Sequence, residues 1–196
     1  MATEQIDCPL CMNTVRVVFR GYPGYKEPDR FDIARCAECD TNFVLLGDYD
    51  LGGLYDAIYR QVEDIPGYSR YARYAQRVLR EQDPLEFLAH EEVVYWGIRE
   101  HLGAAGRTSQ SLILEVGSGL GYLTYALNKS GYKAMGLDKS ETAVREATRR
   151  FGGHYVAADV FDYSRAEIGT FDFVVMAEVI EHLPVLEPFL KLASIF

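Results

Sequence analysis

Beyond residue 110, short apolar runs alternate with longer amphipathic stretches. Leu112-Ile113-Leu114-Glu115-Val116 is apolar and short enough for a buried strand, and a glycine-rich stretch follows it. Tyr122 to Lys129 predicts a helix, Lys133 to Leu137 a second strand, and Ser140 the cap of a helix running to about Phe151. His154 to Ala158 and Phe171 to Met176 read as a third and fourth strand, and Leu186 to Phe196 begins another helix. Strands that alternate with helices of this length predict an α/β domain, a parallel sheet with helices on both faces, over residues 111–196.

The preceding stretch, residues 51–110, carries a different period. Tyr68, Tyr71, Tyr74, Ala75 and Val78 recur every three or four positions and predict one face of a helix. Asp83-Pro84-Leu85-Glu86 is a helix start in which Asp83 caps, Pro84 suits the first turn and Glu86 reaches back. Val93, Val94, Trp96 and Ile98 continue as the apolar side of that helix, and residues 103–108 form a linker. Residues 1–50 show only short β-like runs, Val15 to Phe19 and Phe43 to Leu46, with a turn-rich stretch at Gly21-Tyr22-Pro23-Gly24-Tyr25. Three segments are therefore expected: a small module over 1–50, a helical linker or lid over 51–110, and the α/β part over 111–196.

Composition narrows the function classes. The chain of 196 residues has 48% apolar and 25% charged residues, ordinary for a globular protein. Its formal net charge of −9 disfavours nucleic acid as a partner, because an acidic surface repels phosphate. No apolar run approaches the roughly 20 residues of a membrane span. The first residues lack a basic segment followed by an apolar one, so a cytoplasmic location is the default expectation.

All four cysteines fall in the first module, as Cys8-x2-Cys11 and Cys36-x2-Cys39. Two residues between thiols let both sulfurs of a pair turn to one ion, and two pairs supply a tetrahedron of thiolates. The expectation is a structural zinc ion, since four thiolates leave no open position. Free or redox-active thiols are the alternative. Asp7 and Asp40 beside the cysteines make the module a poor phosphate binder.

The second chemical signal is Glu115-Val116-Gly117-Ser118-Gly119-Leu120-Gly121, directly after the first strand of the α/β part. Glycines there let the backbone turn sharply and approach a ligand at a helix start. Asp138 ends the second strand, where a carboxylate can accept ribose hydroxyls, and Asp159 follows the third, within reach of a base edge. The dinucleotide pattern wants a small residue at position 122, where Tyr122 stands, and Glu115 would sit poorly beside a pyrophosphate.

Leu114 to Gly121 resembles the first motif of class I S-adenosylmethionine-dependent methyltransferases. Gly136-Leu137-Asp138 resembles their acidic second-strand motif, Ala158-Asp159-Val160 their adenine-contacting motif, and Phe171 to Leu183 their fourth strand with the loop after it. Together with the cysteine pairs, the chain is similar to zinc-ribbon-bearing methyltransferases of sugar or natural-product modification. The resemblance implies a Rossmann-like methyltransferase sheet preceded by a four-cysteine zinc ribbon and a helical segment. It implies that Glu115 and the loop Gly117, Ser118, Gly119 and Gly121 hold the methionine end of S-adenosylmethionine. Asp138, with Lys139 beside it, would take the ribose; Asp159 would take the adenine amine with Val160 against the ring; Ala177 and Glu178 would line the floor beside the sulfonium. Measured against that family the sheet is C-terminally incomplete, four strands of seven, so a fragment is expected, inactive alone, whose Leu190, Leu192 and Ile195 are sticky or buried by a partner.

A sulfonium methyl is already activated, so the protein has chiefly to orient the acceptor behind it. A hydroxyl acceptor calls for a base, and His182 is the first candidate, with Glu178 and Glu181 after it. Glu178-x-x-Glu181-His182 also resembles the metal-binding part of small-RNA 2′-O-methyltransferases, although the same loop also serves simply to support the backbone. Tyr55, Tyr59, Tyr68, Tyr71, Tyr74 and Tyr95 pack the core or form a lid over the acceptor, and Arg70 and Arg73 suit an anionic one. The expected activity is methyl transfer to a small-molecule acceptor. The alternatives are a non-catalytic adaptor, a nucleic-acid methyltransferase and a nicotinamide-dependent oxidoreductase.

Overall fold

A computed structural model describes residues 6–24, 28–45, 51–65, 67–104, 106, 110–167, 171–183 and 186–193. The chain divides into two compact units: Met1–Asp50 with Leu183–Lys191, and Leu51–His182 with Leu192–Phe196.

The first unit holds an antiparallel sheet in the order β1-β2-β3: β1 Val15–Pro23, β2 Arg30–Cys36 and β3 Asn42–Leu45. Two sequence expectations change here. β1 does not turn at Gly21; it continues to Pro23 through register shifts on either side of Phe19, with Gly21 at φ 65°. β2 has no counterpart among the expected strands, although Phe31 and Ile33 alternate with polar neighbours along it.

The second unit is built on a parallel sheet in the order β6-β5-β4-β7: β4 Leu112–Val116, β5 Lys133–Asp138, β6 Tyr155–Ala157 and β7 Phe173–Met176. Alternation on β4 divides the core. Ile113 packs with Val175 and with Leu123, Ala126 and Leu127 of α5 (Tyr122–Lys129). Leu114 and Val116 face the other way, with Leu137, Met135 and Val174. Burial on both faces is what a parallel sheet requires. β5 leads through Ser140, whose hydroxyl accepts the Ala143 N–H at 3.2 Å, into α6, Glu141–Phe151. Gly152, at φ 97°, ends it.

The stretch before the sheet folds into α1 (Leu51–Arg60), α2 (Ser69–Arg77), α3 (Pro84–Glu91) and α4 (Val93–Ala104). Tyr74, Val78, Leu85, Phe87, Leu88, Tyr95 and Leu102 join the α5 side of the core. Asp83 caps α3 by accepting the Glu86 N–H at 3.0 Å. Glu86 itself does not reach back: its carboxylate pairs with Arg99 of α4. α3 and α4 are separate helices, because Glu92 is extended at φ −144° and ψ 144°. The break rotates the apolar pattern, so Val93 and Trp96 are exposed while Tyr95 is buried. A further helix, α7 (Val160–Glu167), follows β6, in a stretch to which the sequence pattern assigned no element. The last helix, α8, spans Leu186–Ala193; the side chains of Leu190 and Leu192, and Ile195 itself, lie outside the described residues. Among the described residues no helix is long and apolar enough to cross a membrane.

Candidate cofactor site and cysteine centre

The glycine loop leaves the C-terminal end of β4, and three of its residues have left-handed backbones: Gly117 at φ 75°, Gly119 at 48° and Gly121 at 80°. Only residues without a Cβ adopt that conformation freely. Its fold is fixed by β5. The Gly117 and Ser118 N–H groups both donate to Leu137 O, at 2.8 and 3.0 Å. The Gly119 N–H donates to Asp138 Oδ2 at 2.7 Å, and the Ser140 N–H to Asp138 Oδ1 at 2.8 Å. Asp138 thus ties the loop to the start of α6 with one oxygen each.

Close packing explains why this corner is glycine-rich. A Cβ on Gly121 would stand 2.6 Å from Ala147 Cβ and 2.7 Å from the Tyr155 ring, whose hydroxyl donates to Gly121 O at 2.7 Å. Gly136, inside β5, admits Thr124 Oγ1, Tyr155 and Ser118 Cβ within 2.8 Å of the same construction. Thr124 and Tyr155 escaped the sequence reading of the site, and Gly136 entered it only as part of the Asp138 motif. A glycine inside a strand run was the available signal for a close approach.

Beneath the loop Glu115 is buried, opposite Gly136 and Val175 in register, and its carboxylate accepts the Thr124 hydroxyl. Burial raises its carboxyl to about 8, against the Thr124 hydrogen bonds. The Ser118 hydroxyl is buried with no hydrogen-bond partner. A buried polar atom left open beside three left-handed glycines fits a polar ligand at the loop.

The remaining expected residues sit around this corner unequally. Lys139 is exposed and lies 3.2 Å from Asp159 in an ion pair. Asp159 accepts the Phe161 N–H at 3.0 Å and so starts α7, of which Val160 is the first residue. Ala177 is half-buried after β7. Glu178 follows it at φ 54° and pairs with Tyr71 and Arg70 of α2. Glu181 and His182 are exposed on a 3-10 turn, Ile180–His182. The His182 ring meets Tyr55 of α1 edge-on at 5.7 Å. One turn along α1, the Tyr59 hydroxyl stands 2.9 Å from where a Cβ on Gly119 would be, and burial and then Asp138 push its phenol well up. Arg70 and Arg73 are not free cations: Arg70 pairs with Glu92 and Glu178, and Arg73 with Glu91.

The cysteines form the second centre. Their four sulfurs lie within 4.8 Å of one another. The two pairs are built alike. Cys8 N–H donates to Asn13 O at 2.8 Å, Cys36 N–H to Thr41 O at 2.9 Å, and the residue after each second cysteine, Met12 and Asp40, stands at φ 60°. The Cys39 thiol is lowered to about 6 by its contact with Thr41, and Cys11 is lowered by Asn13. Four soft donors at this spacing fit one tetrahedral zinc ion. Among the described residues this is the group that converges as metal ligands; Glu178, Glu181 and His182 do not.

Residues 114–194 match the family model of a methyltransferase domain. No curated protein matches the chain. Among solved structures, magnesium protoporphyrin IX methyltransferase from Synechocystis with bound S-adenosylmethionine is 22% identical. That likeness covers 71% of this chain and 69% of that one, with a TM-score of 0.47. A structure concerned with conversion of a disulfide bond into a thioacetal group in echinomycin biosynthesis is 30% identical over 41% of this chain and 35% of that one, TM-score 0.35. A methyltransferase from Thiobacillus denitrificans with S-adenosyl-L-homocysteine is 25% identical over 48% and 41%, TM-score 0.36. The family match covers the glycine loop and the acidic residues described above, so residues 114–194 carry the signature of a methyltransferase domain, in a chain with a four-cysteine module at its N-terminus.

Proposed function

We propose that the chain transfers the methyl group of S-adenosylmethionine to a small-molecule acceptor of the sugar or natural-product kind. One observation carries this reading: a loop with three left-handed glycines is tied through the Gly119 N–H to the Asp138 carboxylate, beside a buried, unpartnered Ser118 hydroxyl. Bound there, the cofactor supplies an activated sulfonium methyl. Gly117, Ser118, Gly119 and Gly121 would hold its methionine end, with Glu115 beneath them. Asp138, with Lys139 beside it, would take the ribose hydroxyls, and Asp159 and Val160 the adenine side. Ala177 would line the floor.

The chain's own contribution is mostly orientation and exclusion of water. Tyr55 and Tyr59, four apart on one helix face, support a role for α1 as a roof over the glycine loop and His182. His182 is the residue we assign to taking the acceptor proton, with Glu181 beside it. The acidic chain and the internally paired arginines of α2 support a small acceptor over a nucleic acid. Cys8, Cys11, Cys36 and Cys39 would hold a structural zinc ion, and a reduced cysteine quartet supports a cytoplasmic setting. We propose the working boundaries 1–50, 51–110 and 111–196 for ribbon, lid and cofactor domain.

Calorimetric titration tests this directly, with S-adenosylmethionine and S-adenosylhomocysteine against NADH as the competing ligand. Micromolar uptake of the first two alone supports the reading. Uptake of NADH alone replaces it with an oxidoreductase.

A further inference from the structure

The carboxylate of Glu178 is held by helix α2, 107 residues earlier in the chain. Tyr71 Oη donates to Glu178 Oε2, and Arg70 Nη2 lies 3.5 Å from the same oxygen. Arg70 Nη2 also donates to Tyr71 Oη at 2.6 Å. Guanidinium, phenol and carboxylate therefore form one chain of mutually polarising bonds. Arg70 reaches the other way as well. Its Nε lies 2.9 Å from Glu92 Oε1, as an ion pair angled off the N–H axis, and Tyr74 Oη donates to the same Glu92 oxygen at 2.8 Å. Glu92 is the break between α3 and α4, so one arginine ties α2 to that break and to the loop after β7. Burial, then the bond to Glu178, raises the Tyr71 phenol well above its ordinary range, so it keeps its proton and remains the donor.

The backbone at Glu178 gives this tie its direction. Glu178 sits at φ 54°, in a region that residues with a Cβ disfavour. The next residue, Val179, presses on the glycine loop: its Cγ2 stands 2.6 Å from the place of a Cβ on Gly117. The strained turn thus sends the Glu178 carboxylate to α2 and the Val179 side chain to the loop. Tyr71 also stacks on Tyr122, at 6.3 Å and 18° between ring planes. Tyr122 directly follows Gly121.

We propose that Tyr71 and Arg70 are positioning residues for the cofactor site, which hold Glu178 so that the loop after β7 stays seated against Gly117. Glu178 is then the anchor of that loop and takes no part in proton transfer. The consequence for binding rests on the cofactor reading above; the tie itself does not.

Two readouts on the full chain separate the two. In the first, S-adenosylhomocysteine is titrated into the wild type, Tyr71→Phe, Glu178→Gln and the double variant. Phenylalanine keeps the ring stack, so the fold is retained. Each single change is expected to weaken binding roughly tenfold, Tyr71→Phe by removing the bond and Glu178→Gln by removing its charge and the Arg70 ion pair, and the double variant no more than the larger single loss, because both act on one tie. Wild-type affinity in both single variants, or a double variant that multiplies the two losses, overturns the proposal. In the second, hydrogen exchange is followed without cofactor. Tyr71→Phe should speed exchange of the Ala177–His182 amides roughly tenfold, and Glu178→Gln that of the Ser69–Arg77 amides. Unchanged rates overturn the tie whether or not cofactor binds. A wild type that takes up no S-adenosylhomocysteine while exchange remains coupled sinks the cofactor reading and, with it, the binding consequence.

Discussion

The Gly119 N–H donates to Asp138 at 2.7 Å, so the carboxylate expected to take the ribose also shapes the loop expected to take the methionine end. Its second oxygen is used by the Ser140 N–H. Removing it does two kinds of damage at once. Asp138→Ala should weaken S-adenosylhomocysteine binding at least roughly a hundredfold, since bonds to a charged group are lost on both sides. Asp138→Asn keeps one acceptor oxygen for the loop and should fall between the two. Equal affinity of Asp138→Ala and wild type by calorimetry would remove Asp138 from the site.

The glycines of this domain differ in what a methyl group would meet, which makes their substitution selective. Gly121→Ala puts a Cβ on a left-handed backbone 2.6 Å from Ala147 and 2.7 Å from Tyr155. Neither neighbour is the far end of a flexible chain. The expected loss is about 3 kcal/mol, from backbone strain and overpacking together. Gly153→Ala meets nothing within 4 Å and should leave the melting temperature unchanged. Thermal melts of the two variants side by side check this.

Much of this corner was readable because its signals are local. Ser140 and Gly152 bracket α6 as a serine cap and a glycine stop should, and the apolar run Leu112–Val116 became β4 residue for residue. Other features had no local signal. Glu92 breaks α3 from α4 without a proline or glycine, so of the expected apolar side Val94 and Ile98 pack on the core while Val93 and Trp96 are exposed. α7 begins where Asp159, read as a ligand residue, turns its carboxylate to the Phe161 N–H. Tyr59 at Gly119 and Tyr71 at Glu178 join segments far apart in the chain, and no periodicity announces such a contact. The acidic residues were found by type and place, whereas their partners came only with the tertiary structure.

Glu115 makes stability depend on pH in a stated direction. Its carboxyl is raised to about 8 in the folded chain, against 4.5 as the ordinary value. The folded state therefore binds the proton more tightly than the unfolded one. The stabilisation is full below about pH 4.5 and is lost as pH rises through about 8. Glu115→Gln, which keeps the shape and cannot ionise, should remove that slope. The variant should match the wild type near pH 4 and melt higher at pH 8.5, by a few degrees or more for a difference of about 2 kcal/mol or above. Parallel melting curves for the two proteins across this range would show that Glu115 is not the group responsible.

The cysteine centre yields the last prediction. Four sulfurs within 4.8 Å of one another would repel as thiolates unless a cation sits among them. The sheet they join is small, with strands of nine, seven and four residues, too little to bury a core that would hold it alone. Purified chain should therefore carry one zinc ion, measured by atomic emission, and Cys39→Ser should lower that content. Chelation should open residues 6–45 to protease while α2 to α4 resist, because Tyr74, Leu88, Tyr95 and Leu102 bury a core of their own. Metal-free chain with an intact, protease-resistant module would mean that its stability has another source. Loss of both regions together on chelation would mean that the two units fold as one.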